Sequence, residues 1–120
     1  MPKFKYHNKP VITATGEKFD SSGEYARWND LQLLERAGEI RGLKRQIKFE
    51  IGVNPISGRK LYWTPDFIYE EKTVHGWALV VEDYKGFMVR DIPLRAALFQ
   101  IRYPQYAIRI YGPPKKKRRG

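Results

Sequence analysis

The segment WTPDFIYEEKTVHGWALVVEDYKGF, residues Trp63 to Phe87, decides how this chain is read. β-Branched and aromatic residues are dense on both sides of Thr73, Val74, His75 and Gly76, so the segment reads as two strands, Tyr62 to Glu71 and Trp77 to Tyr84, joined as a β-hairpin. A hairpin folded about the Val74–His75 peptide sets Asp66 directly opposite Asp83. Opposed side chains have Cβ atoms about 4.5–5.5 Å apart, and like charges so placed destabilise a sheet. The two-residue period of a strand puts Lys85 on the face of Asp83 and turns Glu82 to the other. One face then carries Asp66, Asp83 and Lys85 above apolar Ile68, Leu79 and Val81. A hard divalent cation between the carboxylates, with a lysine beside it, would offset the repulsion. The pattern suits Mg²⁺, which is held by one or two carboxylates and completed by water and phosphate oxygens. Read singly, the same residues are ordinary: Asp66 follows Pro65 as a turn residue, and Asp83 with Lys85 makes a solvated surface pair. Their convergence in one register favours the metal reading.

The length, 120 residues, suits one domain with a single modest core. Hydrophobic residues at 42% and aromatic residues at 14% argue for a folded chain rather than a disordered one. No apolar run approaches the roughly 20 residues of a membrane helix, and no apolar signal segment follows Met1, so a soluble, unexported protein is expected. The absence of cysteine removes disulfides, thiolate zinc sites and cysteine nucleophiles together, and two histidines leave oxygen as the expected ligand for any metal. The net charge of +10 is uneven: the termini, rich in Lys3, Lys5, Lys9 and the run Lys115, Lys116, Lys117, Arg118 and Arg119, carry most of it. Basic arms on a nearly neutral body point to a polyanionic partner, whose phosphates give salt-sensitive affinity, or else serve solubility alone.

Residues 1–18 lack a sustained period and read as a basic arm, with a short strand at Pro10 to Ala14. Ser21 followed by Glu24 is a capping-box pattern, so a helix is expected from there to about Ala37, ended by Gly38. Glu24, Trp28, Leu31 and Leu34 fall on one stripe of that helix. Glu24 is therefore either a capping glutamate bonded back to the Ser21 backbone or a third carboxylate aimed at the Asp66–Asp83 face. A strand is expected from Lys44 to Val53, then a turn at Asn54, Pro55, Ser57 and Gly58, then the hairpin, making a three-stranded meander. Asp91 and Pro93 announce a second helix to Arg102, with Leu94, Ala97, Leu98 and Ile101 as its apolar face. A last strand, Tyr106 to Tyr111, follows this crossover and should lie parallel to Trp77–Tyr84. The expected fold is α/β, a single domain over residues 19–111 in the order α-β-β-β-α-β, with a mixed sheet between helices. Helices on both faces explain why Val80 and Val81 are both apolar. Residues 112–120 read as a disordered basic tail.

Pro65-Asp66, then Asp83-Tyr84-Lys85 on the next strand, behind a helix bearing Glu24, resemble the PD-(D/E)XK nuclease superfamily, whose core has this element order. The match is closer to a family of small phage endonucleases marked by F-D-S-x-x-E (Phe19, Asp20, Ser21, Glu24), L-x-x-Q-x-x-F (Leu43, Gln46, Phe49) and V-E-D-x-K-G (Val81, Glu82, Asp83, Lys85, Gly86). It is also loosely similar to phage junction-resolving endonucleases of the endonuclease I type. The resemblance spans roughly Phe19 to Tyr111. It implies that Asp66 and Asp83 ligate Mg²⁺ or Mn²⁺ with the Tyr84 carbonyl, and that Lys85 orients or deprotonates the attacking water. It implies that Glu24 holds a second metal or a metal-bound water, that Gln46 touches the site, and that Arg95 reaches the scissile phosphate. Asp83 departs from the commoner glutamate of the superfamily, a shorter reach that the superfamily permits.

The resulting expectation is a metal-dependent endonuclease acting on DNA, branched or duplex, in the cytoplasm of a bacterial host as a phage-encoded protein. The resemblance extends to Holliday-junction resolvases. Two cuts resolve a branch, which a homodimer would deliver, although no dimer interface is legible in the sequence. A non-catalytic DNA-binding module, an RNA-processing nuclease on the same core and a structural protein with a basic tail are the rival readings. The tail PPKKKRRG looks like a nuclear-import signal, but the same run is better suited here to gripping phosphates.

Overall fold

A computed structural model describes residues 9–84 and 91–111. Val11–Ile12 (β1) pairs antiparallel with Lys18–Phe19 (β2), so part of the expected arm is a small hairpin whose last residue, Phe19, is buried. Helix α1, Ser22–Arg36, follows directly. Its N-cap is Ser21, whose Oγ accepts the Glu24 backbone N–H at 3.0 Å, as the sequence pattern requires. Gly38, at φ +79°, takes the left-handed position past its C-terminus. The inward stripe is Glu24, Trp28 and Leu31; Leu34, expected on the same stripe, is exposed.

Strands Ile40–Arg45 (β3), Phe67–Thr73 (β6), Gly76–Tyr84 (β7) and Ala107–Tyr111 (β8) form one sheet in the order β3-β6-β7-β8. The first two pairings are antiparallel and β7–β8 is parallel, as the crossover rule predicts. Between β3 and β6 the chain leaves this sheet to build a separate antiparallel hairpin, Phe49–Val53 (β4) with Lys60–Trp63 (β5).

This hairpin corrects the expected meander. The single strand from Lys44 to Val53 is broken at Gln46, which adopts φ +54°, and the strand from Tyr62 to Glu71 is broken around Pro65. A left-handed residue turns the chain out of a ladder, and a proline gives it no N–H donor. The two breaks face each other: Gln46 N–H donates to the Asp66 carbonyl at 3.1 Å.

The sheet separates two apolar layers. Val80, Tyr69, Phe67 and Ile40 pack with Leu31 and Trp28 of α1 on one face. On the other, Val81 packs with Ile51 and Trp63 of the β4–β5 hairpin and with Phe99 of the second helix, Ile92–Arg102 (α2). Adjacent valines thus serve opposite cores, and the chain is mixed α/β. The residues of α2 packed on this core are Ile92, Ala96, Leu98 and Phe99, continued by Tyr103 just past its end; Leu98 is there as expected. Leu94 and Ile101, expected inside, are 65% and 79% exposed. Helix α2 is apolar nearly all round, so periodicity offered two stripes, and the aromatic pair that stacks at 4.9 Å, Phe99 and Tyr103, fixes which one is inside. Among the described residues no helix is long and apolar enough to cross a membrane.

Candidate active site

The β6–β7 hairpin pairs Thr73 with Gly76 and ends at Phe67 opposite Glu82. The next rung brings Asp66 and Asp83 together, as the hairpin register predicts. Both are buried, at 9% and 7% exposure, where β6 begins and β7 ends. Asp66 Oδ2 accepts the Tyr84 N–H at 2.7 Å, and Oδ1 accepts Gln46 Nε2 at 3.2 Å. The carboxyl groups of Asp66 and Asp83 lie close enough to perturb one another's titration. The sequence stretches around Gln46, Asp66 and Tyr84 are therefore fastened to one carboxylate.

This environment disfavours charge. Burial, then repulsion from Asp66 and further away Glu24, pushes Asp83 up to about 8. Burial raises Asp66 to about 6, held back by the Tyr84 and Gln46 hydrogen bonds. Two buried carboxyl groups side by side cannot both ionise cheaply, so both are held above the usual carboxylate range.

Glu24, 4% exposed, enters from the first turn of α1. Burial, Asp66 and Asp20 raise it to about 7, against the nearby Arg45 and a hydrogen bond with the Asp20 backbone. The capping contact runs from the Glu24 N–H to Ser21 Oγ, while the Glu24 carboxylate lies 3.7 Å from Arg45 and its charge acts on Asp83.

Arg95 does not join this group. Its Nη1 donates to the Tyr62 carbonyl and its Nε to Asp91 Oδ2 at 2.8 Å, which ties α2 to β5. Lys85 lies outside the described residues, as do Lys3, Lys5 and the run Lys115, Lys116, Lys117, Arg118 and Arg119. Lys9, the first described residue, is exposed.

Three residues near the site were not singled out from sequence. Arg45 lies 3.7 Å from Glu24 and 3.5 Å from Glu17, with its guanidinium 3.7 Å above the Phe19 ring. It supplies fixed positive charge beside the carboxylates, and its position next to Gln46 was the available signal. Asp20 lies inside the F-D-S-x-x-E run and adds negative field to Asp66 and Glu24. Arg27 is one helical step from Glu24 and bonds Glu82.

Among the described residues, no three aspartate, glutamate, histidine or cysteine side chains converge closely enough to enclose a metal by themselves. The donor set still fits a hard cation. Two adjacent buried carboxylates of raised pKa are relieved by a divalent ion, and Mg²⁺ takes one or two carboxylates and fills the rest of its sphere with water and phosphate.

A family model matches residues 3–116. The chain belongs to the family described as protein of unknown function DUF1064. No curated protein and no solved structure matches it. The match takes in Asp66, Asp83 and Glu24 of this DUF1064 chain and ends at Lys116, inside the C-terminal basic run, so the carboxylate pair lies within the family's own span.

Proposed function

We propose that this protein is a metal-dependent endonuclease of the PD-(D/E)XK type that hydrolyses DNA phosphodiester bonds, with branched DNA as the favoured substrate. The observation that carries this reading is the pairing of Asp66 with Asp83 one rung beyond Phe67 and Glu82, both buried and both raised in pKa. A fold keeps such repulsion where a bound cation answers it, and perturbed carboxylates clustered at one place mark functional sites.

In this reading Asp66 and Asp83, with the Tyr84 carbonyl, hold Mg²⁺ or Mn²⁺. The ion, when bound, polarises a phosphoryl oxygen and lowers the pKa of a bound water. The protein's own groups do the rest. Gln46 and the Tyr84 N–H, one on each oxygen, fix the rotamer of Asp66. Asp83 gives up its proton on loading. Glu24 would hold a second metal or a metal-bound water from the α1 side, Lys85 would orient or deprotonate the attacking water, and Arg45 limits the charge of this cluster. Lys85, next in sequence to Tyr84, adds positive charge where the phosphorus centre becomes more negative. The basic termini supply phosphate contacts along the DNA. The proposed setting is a phage-encoded protein in the bacterial cytoplasm, cutting as a homodimer.

Calorimetric titration with Mn²⁺ tests the metal step. The wild-type chain is expected to bind Mn²⁺, and Asp66→Asn and Asp83→Asn to lose that binding while staying folded. Equal binding in wild type and both variants would rule out this carboxylate pair as the metal site.

A further inference from the structure

Glu82 is the acidic residue of the V-E-D-x-K-G run that the proposed chemistry leaves unused, and it is 0% exposed. Burial of a full charge is costly unless every oxygen is answered. Here both are: Oε2 accepts Arg27 Nε at 2.6 Å, and Oε1 accepts Arg27 Nη2 at 3.0 Å and the Tyr69 hydroxyl at 2.7 Å. The bidentate bond to Glu82 raises the Arg27 pKa further above its already high range. Arg109 on β8 continues the network, reaching the Tyr69 hydroxyl at 3.5 Å and Glu71 through two bonds of 2.7 Å. Paired with Arg27 and turned to the face of β7 opposite Asp83, Glu82 is held away from the Asp66–Asp83 pair.

Its neighbour two residues on makes a second contact with the same helix. A Cβ on Gly23 would stand 2.6 Å from Cζ of Tyr84, so only glycine lets that ring lie against the first turn of α1. Gly23 and Arg27 are one helical turn apart and Glu24 falls between them. Glu82 and Tyr84 share one face of β7 and Asp83 falls between them. The two contacts therefore flank Glu24 along the helix and Asp83 along the strand, the Asp83 side chain lying on the other face of β7.

We propose that Glu82 and Tyr84 form with Arg27 and Gly23 a two-point clamp between β7 and α1 that positions Glu24 against the Asp66–Asp83 pair. Glu82 and Arg27 are positioning residues, not catalytic ones. The importance of this placement for cleavage rests on the nuclease reading; the placement itself does not.

Replacing both partners, R27M/E82M, removes the ion pair without leaving a lone buried charge, an exchange that folds commonly tolerate. Glu24→Gln is then compared in the wild-type and R27M/E82M backgrounds, using Mn²⁺-dependent cleavage of DNA by the full chain. Loss of an orienting partner commonly costs about 10–100-fold. The expected result is that Glu24→Gln slows cleavage about tenfold or more in the wild-type background and less than about twofold in R27M/E82M, because Glu24 is already misplaced there. The same factor in both backgrounds, or no effect of Glu24→Gln in the wild type, would overturn the proposal. If R27M/E82M does not fold, Gly23→Ala takes its place; it keeps the ion pair, pushes α1 off Tyr84 and is expected to give the same non-additivity. If the wild-type chain neither cleaves DNA nor binds Mn²⁺, the nuclease reading fails and the clamp is judged by NMR. Nuclear Overhauser contacts between the Tyr84 ring and Gly23 that vanish in R27M/E82M support it, and contacts that persist contradict it.

Discussion

Asp66 and Asp83 stand opposite one another one rung past Phe67 and Glu82, two buried acids side by side, the charge of Asp66 disfavouring that of Asp83. Nothing in hairpin stability calls for this arrangement, since opposed like charges weaken a sheet. The buried pair therefore costs stability, and its consequences are measurable.

The sign of the pH dependence follows from the raised pKa values. Asp83 at about 8, Glu24 at about 7 and Asp66 at about 6 all hold protons in the folded chain that the unfolded chain has released above about pH 4. Where the native state binds more protons, stability falls as pH rises. In EDTA, Tm measured by calorimetry should decline between about pH 4.5 and about pH 8.5, and more gently in Asp83→Asn. A Tm that climbs through that window would contradict the assignment.

Divalent metal should reverse this trend. Binding needs the deprotonated pair, so the gain in Tm from saturating Mn²⁺ is expected to be larger at pH 8 than at pH 6. A gain independent of pH, or one that survives Asp66→Asn, would place the metal elsewhere.

Gln46 separates backbone strain from side-chain chemistry. Its φ of +54° costs a non-glycine residue about 1 kcal/mol, which Gln46→Gly relieves while losing the bond to Asp66 Oδ1. Gln46→Ala keeps the strain and loses the same bond, so it should be less stable than Gln46→Gly by about 1 kcal/mol in urea unfolding. Both should cleave DNA more slowly than the wild type. Equal stability of the two variants would deny that the left-handed turn is strained.

The hairpin was legible because the turn at Thr73 to Gly76 and the two-residue period together permit one register. The cap of α1 was legible too, since Ser21 and Glu24 have few other uses at that spacing. The interruptions at Gln46 and Pro65 were hidden by the continuous β-type composition of Lys44–Val53 and Tyr62–Glu71; Pro65 was the single local signal. Arg27 and Glu82 were illegible for another reason. A buried ion pair reads as two surface charges until the elements that carry them are docked, 55 residues apart in sequence.

The basic tail acts through counterions. Each phosphate neutralised contributes about 0.9 to the slope of log K against log salt for duplex DNA, so deleting residues 113–120, with five basic side chains, should flatten the slope by up to about 4.5. Fluorescence anisotropy across a salt series measures it, and an unchanged slope would remove the tail from the interface.

Cleavage of a labelled four-way junction beside its matched linear duplex, with Mg²⁺, Mn²⁺ or EDTA, for wild type and Asp83→Ala, tests the central claim most directly. The account predicts cutting of the junction by the wild type in either metal, none in EDTA, and loss of cutting in an Asp83→Ala chain that remains folded. Cutting that persists in Asp83→Ala, or a wild-type chain that binds both DNAs and cuts neither in any metal, would contradict it.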